Sequence, residues 1–296
     1  MRKSIGTIQI FCSVSQKEIV QVKTWLIPSL MRQKGVGKII LYLINYSGEG
    51  RVYKGSKNIG KVSVKEIDNS RPRGFGEAFN YLFNIVKPRD CFLIVNPDIY
   101  LHEICIGEMV QKMLRSRDIG IVEARQLPFE HPKEFNKKTK ETPWATGSCM
   151  LVNSEFFKEV GGFDKNFWMY CEDVDLSWQA WLKDYRVLHN PDAIAYHFTG
   201  LYFEYNDYQY YLEHFWSARN FIYLMYKYWR KRGEKKAIKI FLKTRFPEYF
   251  KKEVLESYKE LKEKSTIPML KERQKLNSLK DKIKVLGFNR YHLINK

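Results

Sequence analysis

The residues best suited to chemistry are gathered between positions 161 and 200. Glu172, Asp173 and Asp175 follow a Gly161-Gly162 turn and an aromatic run of Phe163, Phe167, Trp168 and Tyr170. Between Leu176 and Lys183 the apolar residues recur at helical spacing: Leu176 and Ala180, with Trp178, Trp181 and Leu182 widening the stripe. The three acids therefore sit at a helix N-terminus, where unpaired N–H groups and the positive dipole end favour carboxylates. Such an acid is either reactive or simply a helix cap. Two short strand-like runs, Tyr185–Leu188 and Ala193–Tyr196, flank Asn190-Pro191-Asp192 and deliver His197, with Gly200 three residues on. His197 is either part of the same chemistry or a satisfied loop histidine.

Two further places invite a ligand. The run Cys91–Val95 lacks polar alternation, as a buried strand does, and ends in Asn96-Pro97-Asp98. An acid at the end of a central parallel strand is positioned for Mg²⁺ or Mn²⁺, which favour carboxylate oxygens together with diphosphate oxygens. An ordinary Asn-Pro-Asp turn is the competing reading. Earlier, Gly74 and Gly76 permit a tight loop entering a helix over Glu77–Val86, with Arg71 and Arg73 close by. A helix N-terminus beside arginines suits a diphosphate, although Gly-x-Gly also serves plain loop closure.

Taken together, these motifs resemble the family 2 glycosyltransferases of the GT-A fold. The likeness rests on Gly74-Phe75-Gly76-x-Ala78-x-Asn80, Asn96-Pro97-Asp98, Gly161-Gly162-Phe163-Asp164, Glu172-Asp173-x-Asp175-Leu176 and His197-x-x-Gly200, and spans about residues 5–230. It implies a mixed, mainly parallel sheet flanked by helices, and an inverting transfer from a nucleotide sugar. In that reading Asp173 is the general base. Asp98 and His197 hold Mn²⁺ or Mg²⁺. Arg73, Gly74, Asn80, Asn96 and Asp98 bind the donor, and the segment around Trp144 and Gly147 borders the acceptor, with Trp168 and Glu172 beside it. Trp144 is either a sugar-stacking platform or a core residue. Ser217-Ala218-Arg219-Asn220 resembles an Arg-Asn pair of members that build bacterial polysaccharides; Arg219 would touch the diphosphate or pair with an acid. The rhamnosyltransferase-type members, which use dTDP-sugars, resemble it most, with UDP-galactofuranose or another UDP-hexose as the alternative donor. One departure stands out. Where the family's second strand ends in Asp-Asn-x-Ser, this chain has Ile44-Asn45-Tyr46-Ser47. Asn45, Ser47 or Glu49 would have to replace the acid, or the domain is a catalytically silent scaffold in a polysaccharide assembly complex.

The elements that must position these residues follow from pattern. Ile5–Val14 reads as a strand, Ile19–Met31 as a helix (Ile19, Val22, Leu26, Ile27, Leu30) and Lys38–Ile44 as a strand. That order implies a parallel βαβ unit, in which ligands bind beyond the carboxyl ends of the strands, drawing attention to Ser13 and Asn45. Further strands are expected over Val62–Ile67, Ile119–Val122 and Cys149–Val152, and helices over His102–Arg115, Phe156–Val160 and Leu201–Trp229. The polar, Pro-containing segment 125–143 is long enough to be a functional loop covering donor or acceptor.

Composition limits the alternatives. A 44% hydrophobic, 15% aromatic chain of 296 residues can bury a core. Its five scattered cysteines without a Cys-x-x-Cys pair read as reduced thiols. No apolar run reaches the roughly 18–20 residues of a membrane span, and the N-terminus reads as a strand rather than a secretory signal. The formal charge of +18 is uneven: residues 227–296 hold 22 Lys/Arg against 8 Asp/Glu. Confined to a tail with no recognition motif, that charge does not describe a nucleic-acid binder. The expected division is a GT-A domain over 1–226 and a basic, amphipathic helical extension over 227–296. The extension would lie on an anionic membrane surface, placing a cytoplasmic protein at the inner face near a lipid-linked acceptor. A helical cap or homo-oligomer contact through the apolar stripe is the other reading.

Overall fold

The computed structural model of the chain describes residues 5–46, 50–53, 55–68, 71, 73–130, 133, 135–198, 207–266, 275–277 and 279. Ser47, Glu49, Gly200 and the tail stripe residues Ile283 and Leu286 lie outside them.

The expected opening unit forms. β1 (Ile5–Val14) leads through a helical segment, α1 (16–31), into β2 (Val36–Asn45), which pairs with β1 in parallel up to Val14↔Asn45. A hairpin of β3 (Lys57–Ile59) and β4 (Val62–Asp68) follows, with β4 parallel to β2. After α2 (Phe75–Val86) comes β5 (Cys91–Val95), parallel to β1 on its other side. The chain continues through β6 (Ile99–Leu101), α3 (Cys105–Met113), β7 (Ile119–Leu127), β8 (Cys149–Asn153), α4 (Ser154–Val160), α5 (Glu172–Leu182) and β9 (Arg186–His197). Two long helices, α6 (Asp207–Leu242) and α7 (Glu248–Lys264), close the described chain. The strands form a mixed sheet in the order β3-β4-β2-β1-β5-β8-β7-β9-β6, with a parallel run from β4 to β5 and β8 antiparallel to both its neighbours.

Both faces of this sheet are apolar, which explains the unbroken hydrophobic run in β5. Phe92 and Ile94 join the core under α2, α4, α5 and α6, while Leu93 and Val95 join the one under α1 and α3. All five cysteines are free thiols.

β9 departs from the two separate runs expected. It is one strand whose register against β7 jumps from Ala124↔Asn190 to Arg125↔Ile194, absorbing Pro191, Asp192 and Ala193 as an irregularity. Bulges of this kind tolerate proline and re-aim the residues beyond them. Here they carry His197 to the place opposite Ile99 on β6.

The division expected at 226/227 falls inside α6, just before Arg230, whose φ of 51° interrupts the helix. Lys227 is 2% exposed and bridges two buried carboxylates, Asp164 and Asp175, at 2.8 Å each. Burial alone would push the ammonium's pKa down; Asp175 and Asp164 reverse that and raise it. Tyr223 donates to Asp164 and Tyr228 to Asp175. In α7, Phe250, Val254 and Tyr258 are buried in the same core as Phe241 and Leu279. The apolar stripe expected to face a membrane is, over these residues, turned onto the domain, while Lys252, Lys259 and Lys264 stay exposed. Replacing Lys227 by Met removes the cation that bridges Asp164 and Asp175. Unfolding in urea should show a loss of about 3–5 kcal/mol; a loss below about 1 kcal/mol would mean that the pair is not held by this charge.

Candidate active site

Three consecutive residues before β8 tie the functional elements together. Thr146 N–H donates to Glu123 Oε2 on β7 at 2.8 Å, and Gly147 N–H donates to Asp173 Oδ2 in the first turn of α5 at 3.0 Å. Ser148 O accepts from Asn96 N–H beyond β5 at 2.9 Å. The Ser148 hydroxyl also takes a hydrogen bond from the Gln126 amide and lies 3.0 Å from Thr146 Oγ1. Position 147 has little room for a side chain: a Cβ would sit 3.0 Å from the Phe75 ring and 3.5 Å from Asp173 Cβ.

Asp98 and His197 meet at this edge because β6 pairs antiparallel with β9. His197 Nε2 lies 3.3 Å from Asp98 Oδ1, both side chains partly exposed, and its Nδ1 lies 2.8 Å from Gln126 Oε1. Gln126 donates its amide to Ser148, so its oxygen faces Nδ1 and accepts a hydrogen bond from it. In the neutral ring Nε2 then turns a lone pair toward a carboxylate oxygen. Two such acceptors face each other only across a shared proton or a cation, so the pair fits one corner of a divalent site. Among the described residues no group of three or more His, Cys, Asp or Glu could hold a metal by itself. The remaining ligands would have to come from diphosphate oxygens or water. Glu18, at the start of α1, also feels Asp98; burial raises its carboxyl pKa and the neighbouring negative charge adds to that.

Behind Gln126 lies a buried charge network. Glu123 is 1% exposed and accepts from Lys133 Nζ at 2.5 Å, while His189 Nδ1 lies 2.8 Å from its other oxygen. Burial pulls the Glu123 carboxyl up, but the Lys133 charge and His189 outweigh it and bring its pKa to about 2.

The acids enter α5 through a strained turn. Tyr170 (φ 69°) and Cys171 (φ 70°) are both left-handed, at a cost of order 1–2 kcal/mol per residue. Asn220 of α6 holds them, donating Nδ2 to Met169 O at 2.7 Å and to Tyr170 O at 2.8 Å. Its neighbour Arg219 donates to Asn166 O at 3.0 Å and to Asn220, with its guanidinium over the Trp216 ring. The Arg-Asn pair thus braces the 166–171 loop; among the described residues Arg219 is paired with backbone and amide and not with an acid.

The other expected site residues are distributed as follows. Ser13 is half-buried at the end of β1, two residues past the Phe11↔Ile94 pair and so level with Asn96. Asn45 is buried and donates its amide to Gly50 O at 2.9 Å and to Glu66, holding the loop after β2. Glu66 in turn accepts from Val52 and Tyr53 N–H. Arg73 donates to Glu77 at 3.0 Å and lies over Tyr81. The glycines of that loop are required by packing: a Cβ at Gly74 would sit 2.5 Å from Trp168 O, and one at Gly76 2.6 Å from Phe163 Cβ. Phe75 N–H donates to Trp168 O, so the start of α2 is joined to the aromatic loop. Asn80 has a bracing part as well, accepting from Phe163 N–H at 2.9 Å and donating to Phe163 O at 2.8 Å. Trp144 is a core residue, 6% exposed, with Lys133 Nζ 3.8 Å above its ring. Trp168, by contrast, is 39% exposed. Glu172 is buried at the first position of α5, and Asp175 is fully buried in the ion pair with Lys227.

Gln126 and Glu123 were not among the expected site residues, whereas Thr146 and Ser148 fall in the segment around Gly147 expected to border the acceptor. Glu123 carried a signal: a carboxylate inside the apolar run Ile119–Val122-Glu123-Ala124 must find a buried partner. Gln126 carried none, since its role depends on which strands lie side by side.

No protein-family model matches this chain. It is 38% identical over 68 residues, 23% of its length and 26% of the relative's, to rhamnosyltransferase WbbL of Escherichia coli. It is 41% identical over 54 residues, 18% of either protein, to the N-acetylglucosaminyl-diphospho-decaprenol L-rhamnosyltransferase of Mycobacterium tuberculosis. The chain thus aligns with about a quarter or less of these curated relatives. Among solved structures it is similar to the mannosyltransferase PcManGT of Pyrobaculum calidifontis, determined with GDP-Man and Mn²⁺. The TM-score is 0.55 at 11% identity, over 96% of this chain and 86% of that one. The chain has the GT-A glycosyltransferase fold, and its motifs and its relatives agree on a resemblance to family 2 glycosyltransferases.

Glu123 makes the network acid-sensitive. Its pKa falls from 4.5 to about 2 on folding, so it contributes stability that is whole above about pH 4.5 and lost as the pH drops toward 2. The shift corresponds to about 3 kcal/mol. Urea unfolding at a series of pH values should show a shallower acid limb for Glu123→Gln than for the wild type; equal slopes below pH ~4.5 would remove Glu123 as their source.

Proposed function

We propose that the chain is an inverting glycosyltransferase that moves a sugar from a nucleoside diphosphate sugar to a hydroxyl of a glycan. The observation that carries this reading is that Asp98–His197 and Asp173 are tied to the same three residues, 146–148. Asp98 and His197 would hold Mn²⁺ or Mg²⁺, which when bound neutralises the diphosphate as leaving group. Asp173 takes the proton of the acceptor hydroxyl. The hydroxyl oxygen bonds to the anomeric carbon from the opposite face, and the carbon–oxygen bond to the diphosphate breaks with its electron pair going to the phosphate. Asp173 is only 3% exposed, so the acceptor hydroxyl has to approach it closely to be reached. Ser13, Asn96 and Arg73 would contact the donor, and Trp168, 39% exposed, offers an aromatic face for a sugar. The names of the relatives favour a rhamnosyl donor such as dTDP-rhamnose; a UDP-hexose or UDP-galactofuranose is the alternative.

The silent-scaffold reading retains one observation. The position of the family's nucleotide-binding acid is Ile44, which is fully buried in the core. Two variants separate the readings. Asp173→Asn should lower transfer by about 10²–10⁴-fold and leave nucleotide binding nearly unchanged, whereas Asp98→Ala should weaken nucleotide binding and its Mn²⁺ dependence together. Isothermal titration with dTDP- and UDP-sugars, with and without Mn²⁺, checks both. Near-wild-type transfer by Asp173→Asn removes it as base, and a protein that neither binds nor turns over any donor is the scaffold.

A lipid-linked acceptor at the inner face of the membrane fits the basic end of α6. Lys231, Arg232, Lys235, Lys236, Lys239, Lys243 and Arg245 are exposed there beside Leu242. No helix among the described residues is long and apolar enough to cross a membrane. Contact through these basic side chains would be electrostatic, at about 1 kcal/mol per basic residue near the surface. Reversing Lys235, Lys236 and Lys239 to Glu should abolish sedimentation with phosphatidylserine vesicles but spare donor hydrolysis. Undiminished vesicle recovery would exclude this face.

A further inference from the structure

The corner between the two C-terminal helices leaves two large apolar side chains outside the core. α6 ends at Leu242 and α7 starts at Glu248, so five residues, 243–247, make the connection. Leu242 is 47% exposed and Tyr249 65%, and neither belongs to the core that takes up Phe241 and Phe250. We propose that this corner enters the headgroup region of an anionic bilayer, with Leu242 and Tyr249 as its apolar anchors. This rests on the membrane reading of the basic end of α6 and adds insertion to it: the cations recruit, the corner inserts.

The corner is held in shape without help from its exposed residues. Thr244 is buried; its hydroxyl donates to Phe241 O at 2.7 Å and its N–H to the same oxygen at 3.0 Å. Phe246 folds inward, its ring centroid 4.6 Å from that of Phe250 and 6.2 Å from that of Phe241. Lys251 N–H closes the first turn of α7 onto Pro247 O at 3.1 Å. These inward groups fix the backbone, and Leu242, Lys243, Arg245 and Tyr249 are left exposed on it. A corner ordered beforehand loses little conformational entropy when it docks.

Charge selects the surface. Lys239, Lys243 and Arg245 are exposed around the two anchors. The nearest acids are engaged within the protein: Glu248 pairs with Lys251 at 2.8 Å, and Glu253 accepts from the Tyr211 hydroxyl. The local field is therefore positive, which attracts anionic lipid and repels a second copy of the same corner. A leucine and a tyrosine set among cations match the layers of a bilayer surface. Hydrocarbon meets the acyl boundary, the phenol hydroxyl stays at headgroup level, and the cations meet phosphate. The long apolar stripes of α6 and α7 cannot make this contact, because Phe241, Phe250, Val254 and Tyr258 are spent on the domain.

The test is sedimentation of the full chain with phosphatidylcholine vesicles that contain phosphatidylserine. The wild type is compared with Leu242→Ser combined with Tyr249→Ser, and with the charge reversal of Lys235, Lys236 and Lys239. The serine variant keeps every charge, and both changes are at exposed positions, so its thermal unfolding should match the wild type. Its vesicle affinity should fall about tenfold or more, because apolar transfer is removed and Coulomb attraction is not. A smaller fall, with the charge reversal unbound, overturns the insertion and leaves a purely electrostatic contact. Failure of the basic-face reading looks different: the charge reversal binds like the wild type while the serine variant does not, and the insertion stands. A wild type that sediments with no vesicle overturns both. Sedimentation velocity without lipid covers the remaining occupant: a dimer that the serine changes dissociate would assign the corner to a second copy and overturn the proposal.

Discussion

The hydrogen bond from Gly147 N–H to Asp173 is the joint on which the candidate site depends. Asp173 belongs to a helix on one side of the sheet, and Asp98 and His197 to a strand end and an edge pairing. Nothing in their sequence separation brings them together. The peptide units of 146–148 do so, because three successive residues reach three different elements: Glu123 on β7, Asp173 on α5 and Asn96 beyond β5. Backbone donors and acceptors cannot be left unpaired in a buried place, so this pattern is a structural obligation as well as a chemical one. It also fits a glycine at 147, where a Cβ would press on the Phe75 ring and touch Asp173.

The helices after the sheet serve the same site from behind. Asn220 and Arg219 hold the backbone of the 166–171 loop, keeping Tyr170 and Cys171 in a left-handed conformation that neither residue would adopt alone. Lys227 fixes Asp164 before that loop and Asp175 after it. Of the acids gathered at the start of α5, one thus faces Gly147 and another is consumed by a buried ion pair. The C-terminal helices are part of the scaffold of the active edge, whatever surface their basic faces meet.

Much of this was readable in advance. Strict strand–helix alternation gave the parallel opening unit, and an apolar run without alternation marked β5 as covered on both faces. The site residues were legible where chemistry is local: three acids before an amphipathic stripe, and an acid closing a buried strand. Where a role depends on a neighbour distant in sequence, residue type was ambiguous. Asn80 and Arg219 look like donor ligands by type, yet their polar atoms bind Phe163 and Asn166 backbone. Gly74 suggests a close-approaching ligand, and what approaches is Trp168. Trp144 could be platform or core, and the ammonium above its ring together with its burial answers for core. The β9 irregularity was invisible, since Asn190-Pro191-Asp192 reads as a turn until β7 pairs with both sides of it.

The account stands on the proposal that Asp98, His197 and Asp173 face one hollow. The most direct measurement is a crystal structure of the chain with Mn²⁺ and UDP or dTDP. The ion should lie between Asp98, His197 Nε2 and the diphosphate, with Asp173 facing the same cavity from the Gly147 side. A nucleotide bound elsewhere, or an ion that touches neither Asp98 nor His197, would contradict it.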